Sequence, residues 1–186
     1  MLINYAILRL LSAEPMSGYD LKKIMQESLY MYWSGNNNQI YKALLQLCSD
    51  DLLTSEIHHQ DGAPTKKLYK ITDKGRAALL EWVVSTPPEA PEFKKPFLIQ
   101  MACAGQLEAA QIEELVLKYQ HELNLQLIMQ QEKQRRMNVA PSLAKRERFI
   151  EDMIFDNIFT FYQSELQWTQ KVLQGIRNNF REESQR

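Results

Sequence analysis

The sequence predicts a mainly α-helical chain in two parts, and three observations carry that prediction. Apolar residues recur at helical spacing from Ile3 to Leu47. Two short runs rich in β-branched and aromatic residues, separated by a turn cluster around Gly62 and Pro64, then interrupt the helical period. Beyond a proline-dense stretch, Thr86 to Pro96, the helical period returns over segments far longer than any before it.

Each element has a local reason. Ile3, Ile7, Leu10 and Leu11 form the first helical stripe, and Pro15, which lacks an N–H and clashes with the preceding turn, ends it. In "MSGYDLKKIMQESL", Ser17 is the cap and Leu21, Ile24 and Met25 share a face, giving a short second helix. "SGNNNQIYKALLQL" turns from polar amides into a stripe of Ile40, Ala43, Leu44 and Leu47, so a third helix runs from about Asn37 to Ser49 and closes at Asp50-Asp51. "LLTSEIHH" and "KKLYKIT" read as strands paired in a hairpin across "HQDGAPT". Thr72 caps a fourth helix, "DKGRAALLEWVVS", with Leu79, Leu80 and Val83 expected on the core side. Three helices, a hairpin and a helix make a winged helix-turn-helix, expected over residues 1–86.

Pro87, Pro88, Pro91 and Pro96 forbid helix and favour extended, semi-rigid geometry, so residues 87–96 read as a linker. The remainder, residues 97–186, reads as a helical dimerisation region. A short helix from Phe97 to Ala104 precedes a long one with Ile112, Leu115, Val116, Tyr119, Leu123 and Leu127 in its stripe. "NVAPS" breaks it at Pro141, and a second long helix starts near Ser142. That last helix is apolar on more than one face, which a single antiparallel neighbour cannot cover, so a second subunit is the expected cover. Ile150, Ile154, Phe155, Ile158, Phe159, Tyr162 and Leu166 are the candidate dimer-interface residues.

Composition narrows the function classes. The 186 residues and 45% hydrophobic content suffice for a core without disulfides, and Cys48 and Cys103 read as reduced core thiols. The opening segment is apolar but short, lacks a basic leader and carries Arg9 and Glu14, so neither a signal peptide nor a membrane span is expected and the protein is placed in the cytoplasm. No glycine-rich phosphate loop, nucleophile elbow or metal-spaced His/Cys/Asp set appears; enzymatic activity, a cofactor and a metal are not expected. His58 and His59, adjacent in a strand, point to opposite faces and make no metal pair. Net charge is −1, yet Lys66, Lys67, Lys70, Lys74 and Arg76 crowd between Gly62 and Arg76 against only Asp73.

The stretches "ILRLLSAEPMSGYDLKK", "QIYKALLQL" and "DGAPTKKLYKITDKGRAALLEW", followed by the long helices, resemble the PadR-like transcriptional regulators, in the branch with a long, virulence-activator-type carboxyl-terminal region. The resemblance covers nearly the whole chain. Asn38-Gln39 stands where many members have Gly-Ser, Lys42 where many have Pro, and Asp51 where a turn glycine is usual, so target sequence does not carry over.

The resemblance gives the run of amides a purpose. A cap uses one side chain, while Asn36, Asn37, Asn38 and Gln39 supply many donors and acceptors at the end of a helix that a helix-turn-helix presents to base edges; the plainer alternative is a cap with a solvated loop. Ser17, Tyr19, Tyr41, Lys42, Lys66, Lys67 and Tyr69 complete the candidate DNA-binding set. The expected function is a sequence-specific transcriptional regulator, more in the manner of a repressor, acting as a homodimer on an inverted repeat of double-stranded DNA. The alternative is a winged-helix adaptor that works through protein contacts alone. The resemblance also implies small-molecule control, with Tyr5, Tyr119, Tyr162 and Trp168 as candidates to line a pocket for a flat aromatic effector, although such a stripe is more often core.

Overall fold

The computed structural model describes residues 2–28, 30–31, 37–60, 63–137 and 144–180. In chain order the elements are α1 (Leu2–Leu11), β1 (Met16–Ser17), α2 (Gly18–Glu27), α3 (Asn37–Ser49), β2 (Leu53–Gln60), β3 (Ala63–Ile71) and α4 (Asp73–Ser85). They are followed by α5 (Pro96–Cys103), a 3₁₀ turn (Ala104–Gln106), α6 (Ala109–Met137) and α7 (Lys145–Asn179). Two compact units result, Met1–Pro91 and Glu92–Arg186. The expected helix break at Pro141 falls outside the described residues.

The first unit is a winged helix-turn-helix. Its core is the set of stripes read from the sequence, with Ile3, Ile7, Leu21, Met25, Ile40, Leu44 and Leu47 all buried. The hairpin closes that core, because Leu53 opposite Ile71 and Ser55 opposite Tyr69 lie on the face of β2 and β3 turned inward. The sheet has three strands in the order β1-β3-β2, and β1 was not foreseen. Two residues carry no alternation to detect; Met16 and Ser17 become a strand only because Tyr69 and Leu68 of β3 stand opposite them. This pairing seats the start of α2 at the base of the wing.

The turn after α3 shows why the missing glycine matters. The N–H of Leu52 donates to Leu47 O (2.9 Å) and that of Asp51 to Cys48 O (3.2 Å), the double closure that requires a left-handed residue between them. Asp51 fills that place with φ 59°. Aspartate tolerates the region better than most residues, so the turn forms without glycine. α4 then docks on the turn. Thr72 caps α4 by accepting from Gly75 N (3.0 Å), donates its hydroxyl proton at the Asp51 carbonyl (2.8 Å), and gives its own N–H to Leu52 O (3.1 Å).

Two expectations are corrected here. Leu80 and Val83 are 67% and 62% exposed and do not face the core. The inward stripe of α4 is instead Gly75, buried, with Leu79 and Trp82, half-buried, at i, i+4 and i+7, and Trp82 stacks on Tyr5 with ring centroids 4.4 Å apart. The apolar run of α4 is wider than the surface that covers it within this unit. Cys103 is exposed rather than a core thiol, whereas Cys48 is half-buried.

The second unit is an antiparallel helix pair with α5 laid against it. Arg177 bonds Glu113 (2.6 Å), Gln120 Nε2 donates to Thr169 (3.1 Å), and Tyr119 reaches Glu165 (2.9 Å), so α6 and α7 run in opposite directions. Phe97, Val116, Leu173 and Ile176 form its buried centre.

Candidate nucleic-acid interface

Burial of Ile40, Ala43, Leu44 and Leu47 fixes the rotation of α3. Outside are left Asn38, Gln39, Lys42, Leu45, Gln46 and Ser49, with Tyr41 at the edge of that surface. Asn36 lies outside the described residues, and only the backbone of Asn37 is described. The amides expected to meet DNA that can be placed, Asn38 and Gln39, are therefore exposed on the first turn of the helix.

The start of α2 stands beside this surface. Ser17 Oγ accepts from Asp20 N (3.2 Å) and donates to Asp20 Oδ2 (2.7 Å), while Asp20 reaches back to Ser17 N (3.4 Å), a complete capping box. The Ser17 hydroxyl is the main reason the Asp20 carboxyl titrates below the ordinary range; the nearby charges of Lys66 and Lys23 act in the same direction. Tyr19, 68% exposed, leans out from the first turn. Gly18 lets the ring of Tyr41 approach: a Cβ there would sit 2.8 Å from Tyr41 Cε1. Tyr41 is thus held against α2 while 46% of it stays exposed.

The wing divides its charges between two faces. Lys67 lies opposite Ile57 on the face shared with Tyr69 and Ile71, and its ammonium is 5.5 Å from the Tyr69 ring centroid. Its charge is felt by Cys48 on α3, whose thiol burial nonetheless pushes up. Lys66, on the other face, acts on Asp20 of α2. Both lysines are exposed. Lys74 and Arg76, from the same basic cluster, are engaged on the unit's own surface: Lys74 Nζ donates to Asp50 O (2.8 Å) and Arg76 Nη1 to Ser12 O (3.1 Å).

Two members of the expected DNA set sit below this surface. Tyr69 is buried, and burial raises its phenol pKa; Ser17 is buried and occupied by its capping box. Both are placed to support the surface, not to form it. Conversely, Gly18 and Leu45 were not singled out from the sequence. Leu45 was detectable, since it follows Asn38 and Lys42 at i+7 and i+3 on the face opposite Leu44 and Leu47.

The aromatic effector candidates are divided between the two units. Tyr5 is stacked on Trp82 in the first unit. In the second, Phe97 stacks on Tyr119 (3.8 Å, 12° between planes) and meets Trp168 edge-on (6.0 Å), while Tyr162 packs edge-on against Phe161 (5.3 Å). Glu165, 8% exposed, accepts from the Tyr119 hydroxyl and forms an ion pair with Lys95, whose ammonium also lies over Phe161 (5.2 Å). Burial first, then the Glu165 hydrogen bond and charge, push the Tyr119 phenol up to about 12. An open cavity of about 640 Å³ beside α5 and α6 is lined by Phe97, Gln100, Lys118, Tyr119 and His121, so of the expected residues Tyr119 alone borders it. Of the dimer candidates, Phe155 is buried within the chain, Ile154, Ile158, Phe159, Tyr162 and Leu166 are half-buried, and Ile150 is half exposed. Among the described residues no His/Cys/Asp/Glu group is arranged to hold a metal, and no helix is long and apolar enough to cross a membrane.

A recognition helix, a basic wing and a trailing pair of long helices define a winged helix-turn-helix protein with a helical carboxyl-terminal unit. Residues 7–81 match the model of the Transcriptional regulator PadR-like family. It is 31% identical over 113 residues to the Negative transcriptional regulator PadR of Bacillus subtilis, a match spanning 59% of this chain and 62% of the relative. The chain thus aligns with less than two thirds of that relative's length. In fold it is similar to Bacillus subtilis PadR in complex with operator DNA (TM-score 0.81, 24% identity, covering 95% of this chain and 99% of that one). PadR has also been solved with p-coumaric acid (TM-score 0.74, 22% identity, 94% of each chain). The Vibrio cholerae virulence activator AphA is similar over 95% of this chain and 98% of its own, with TM-score 0.64 and 25% identity. These relatives are transcriptional regulators, not enzymes.

Proposed function

We propose that the protein is a sequence-specific DNA-binding transcriptional repressor, acting as a homodimer on an inverted repeat. The observation that carries this reading is the exposure, within one compact unit, of Asn38, Gln39 and Lys42 on the leading turns of α3 together with Lys66 and Lys67 on the wing. Amides at a helix start can bond adenine N6 and N7 in pairs, and exposed ammonium groups neutralise phosphate without reading bases. In this reading Tyr19 and Tyr41 add hydroxyl donors for phosphate beside the amides, and residues 1–86 act as the DNA-binding part. The repressor sign follows the Bacillus subtilis relative, which is a negative regulator.

Residues 97–186 serve for dimerisation in this proposal, with residues 87–96 as the linker. Support comes from the row of large apolar side chains that α7 leaves exposed, Phe149, Ile150, Met153 and Phe161 among them, and from Ile128 and Met129 on α6. A small aromatic effector would act on the second unit, at the cavity bordered by Phe97 and Tyr119.

The test is a salt-series gel shift on fragments selected from the source genome with the purified chain, with its mass in solution measured by light scattering. The reading expects a dimer of twice the chain mass, a preferred inverted repeat, and affinity that falls steeply with salt. Salt-independent or sequence-blind binding would point to the adaptor alternative.

A further inference from the structure

We infer that Leu45 is a thymine-reading residue, its side chain seated on the 5-methyl group of a thymine in the major groove; the inference rests on the DNA-binding reading of α3. Leu45 is 64% exposed, although Leu44 and Leu47 on either side of it are fully covered. Asn38, Lys42, Leu45 and Ser49 fall at i, i+4, i+7 and i+11, one continuous stripe opposite the buried face. On that stripe Leu45 is the large apolar side chain among hydrogen-bonding ones.

The neighbours on the outward surface narrow what the third turn of α3 can offer DNA. Gln46 is the polar candidate at this level, but its Nε2 donates to Asp50 Oδ1 at 2.9 Å, which turns its donor toward the end of the helix. Leu45 has no polar atom and gains nothing from water. Of the groups a base pair displays in the major groove, the thymine methyl is the one that an apolar side chain recognises. The flank of α3 on which Leu45 sits carries Tyr41 at i−4, near enough to the Tyr69 phenol to act on its charge, while Lys67 lies 5.5 Å from the Tyr69 ring centroid. Leu45 therefore looks out on the wing side of the recognition helix, where a duplex contacting both must pass.

The placement also fixes where the thymine should be. Seven residues separate Asn38 from Leu45, a rise of about 10.5 Å along the helix axis. At 3.4 Å per step this places the thymine at most about three base pairs from the bases read by the amides, fewer as the helix axis inclines to that of the duplex. Removing a methyl from such a contact is expected to weaken binding about fourfold, the effect of one buried methyl-sized group.

The experiment uses the full chain and its selected site, with each thymine replaced singly by deoxyuridine, which deletes the methyl and leaves the pairing edge intact. Wild-type protein should lose about fourfold at one thymine per half-site. Leu45→Ala should bind the unmodified site more weakly but lose nothing further at that position. Because the side chain is exposed, the variant should melt at the wild-type temperature. If no deoxyuridine position weakens the wild type, or if Leu45→Ala loses the same increment at the same position, the inference is overturned while sequence-specific binding stands. If wild-type protein selects no site at all, the DNA-binding reading itself fails, and the role of Leu45 with it.

Discussion

One substitution made at two glycines separates what holds the recognition helix from what it presents. Gly75→Ala puts a Cβ 2.2 Å from the backbone oxygen of Leu52 and 2.9 Å from Ile71 Cγ1. The oxygen cannot retreat cheaply, because it accepts from Thr72 N at 3.1 Å and shares, at 3.1 Å, the Thr72 hydroxyl proton whose nearer acceptor is Asp51 O. Alanine gains up to about 1 kcal/mol of helix propensity over glycine. Overpacking of this kind costs about 1–3 kcal/mol, and weakening the Thr72 bonds adds about 1 kcal/mol or more. The clash wins, with a net loss of about 2 kcal/mol, which for a unit of this size lowers the melting temperature by roughly 8–16 °C. Gly18→Ala also brings its Cβ inside contact distance of a neighbour, 2.8 Å, but the neighbour is the ring of Tyr41, which has solvent to move into. Here propensity and overlap nearly cancel, so the melting temperature should change by only a few degrees while Tyr41 leaves its place and DNA affinity falls. Scanning calorimetry of the full chain, paired with gel shifts, reads both effects. A stable Gly75→Ala, or a Gly18→Ala that melts early with unchanged affinity, would refute the packing argument.

Lys66→Ala and Lys67→Ala should each weaken binding to all sequences alike and flatten the logarithmic salt dependence by about 0.9 for every phosphate left without its ammonium, measured by gel shift between low and moderate salt. Asn38→Ala or Gln39→Ala should instead remove sequence preference, by about 1–3 kcal/mol for each base contact, in competition assays against altered sites. Tyr119 titrates at about 12 in the folded chain against 10 ordinarily, so the stability it contributes is complete below pH 10 and is lost as pH rises to 12. Chemical unfolding of Tyr119→Phe should accordingly show a shallower fall over that window than the wild type. Asp51→Gly should raise stability by up to about 1 kcal/mol, because glycine relieves the left-handed backbone at φ 59° and the exposed Lys74–Asp51 pair contributes little.

The elements of the winged unit were legible because each carries its own punctuation. Ser17 and Thr72 cap as read, and the stripes of α1, α2 and α3 are buried as read. What was not legible depends on partners distant in sequence. β1 exists through β3, and the exposure of Leu80 and Val83 follows from the rotation of α4 that turns Gly75 to Leu52 and Trp82 to Tyr5. The site was half legible for the same reason. Residue type pointed to Asn38, Gln39, Lys66 and Lys67, but the burial of Tyr69 and the commitment of Lys74 and Arg76 to backbone carbonyls arise only when the hairpin folds back on the helices. Aromatic residues at helical spacing could not be told from a pocket, and the structure spends Tyr5 and Trp168 on packing.

These constraints converge on α3. At its leading end Tyr41 is packed on Gly18 of a capped α2; at its trailing end the carbonyl of Asp50 accepts from Lys74, and the Asp51 turn is bonded to Thr72. A cation at the last carbonyls also suits the negative end of the helix dipole, leaving the positive end free beside the amides. Holding both ends matters for reading DNA because ordering a loose helix on binding would consume much of what a few base contacts supply. With both ends fixed before any partner arrives, changes to the exposed stripe should alter which sequence is preferred, and changes to the clamps should alter whether any sequence is preferred at all.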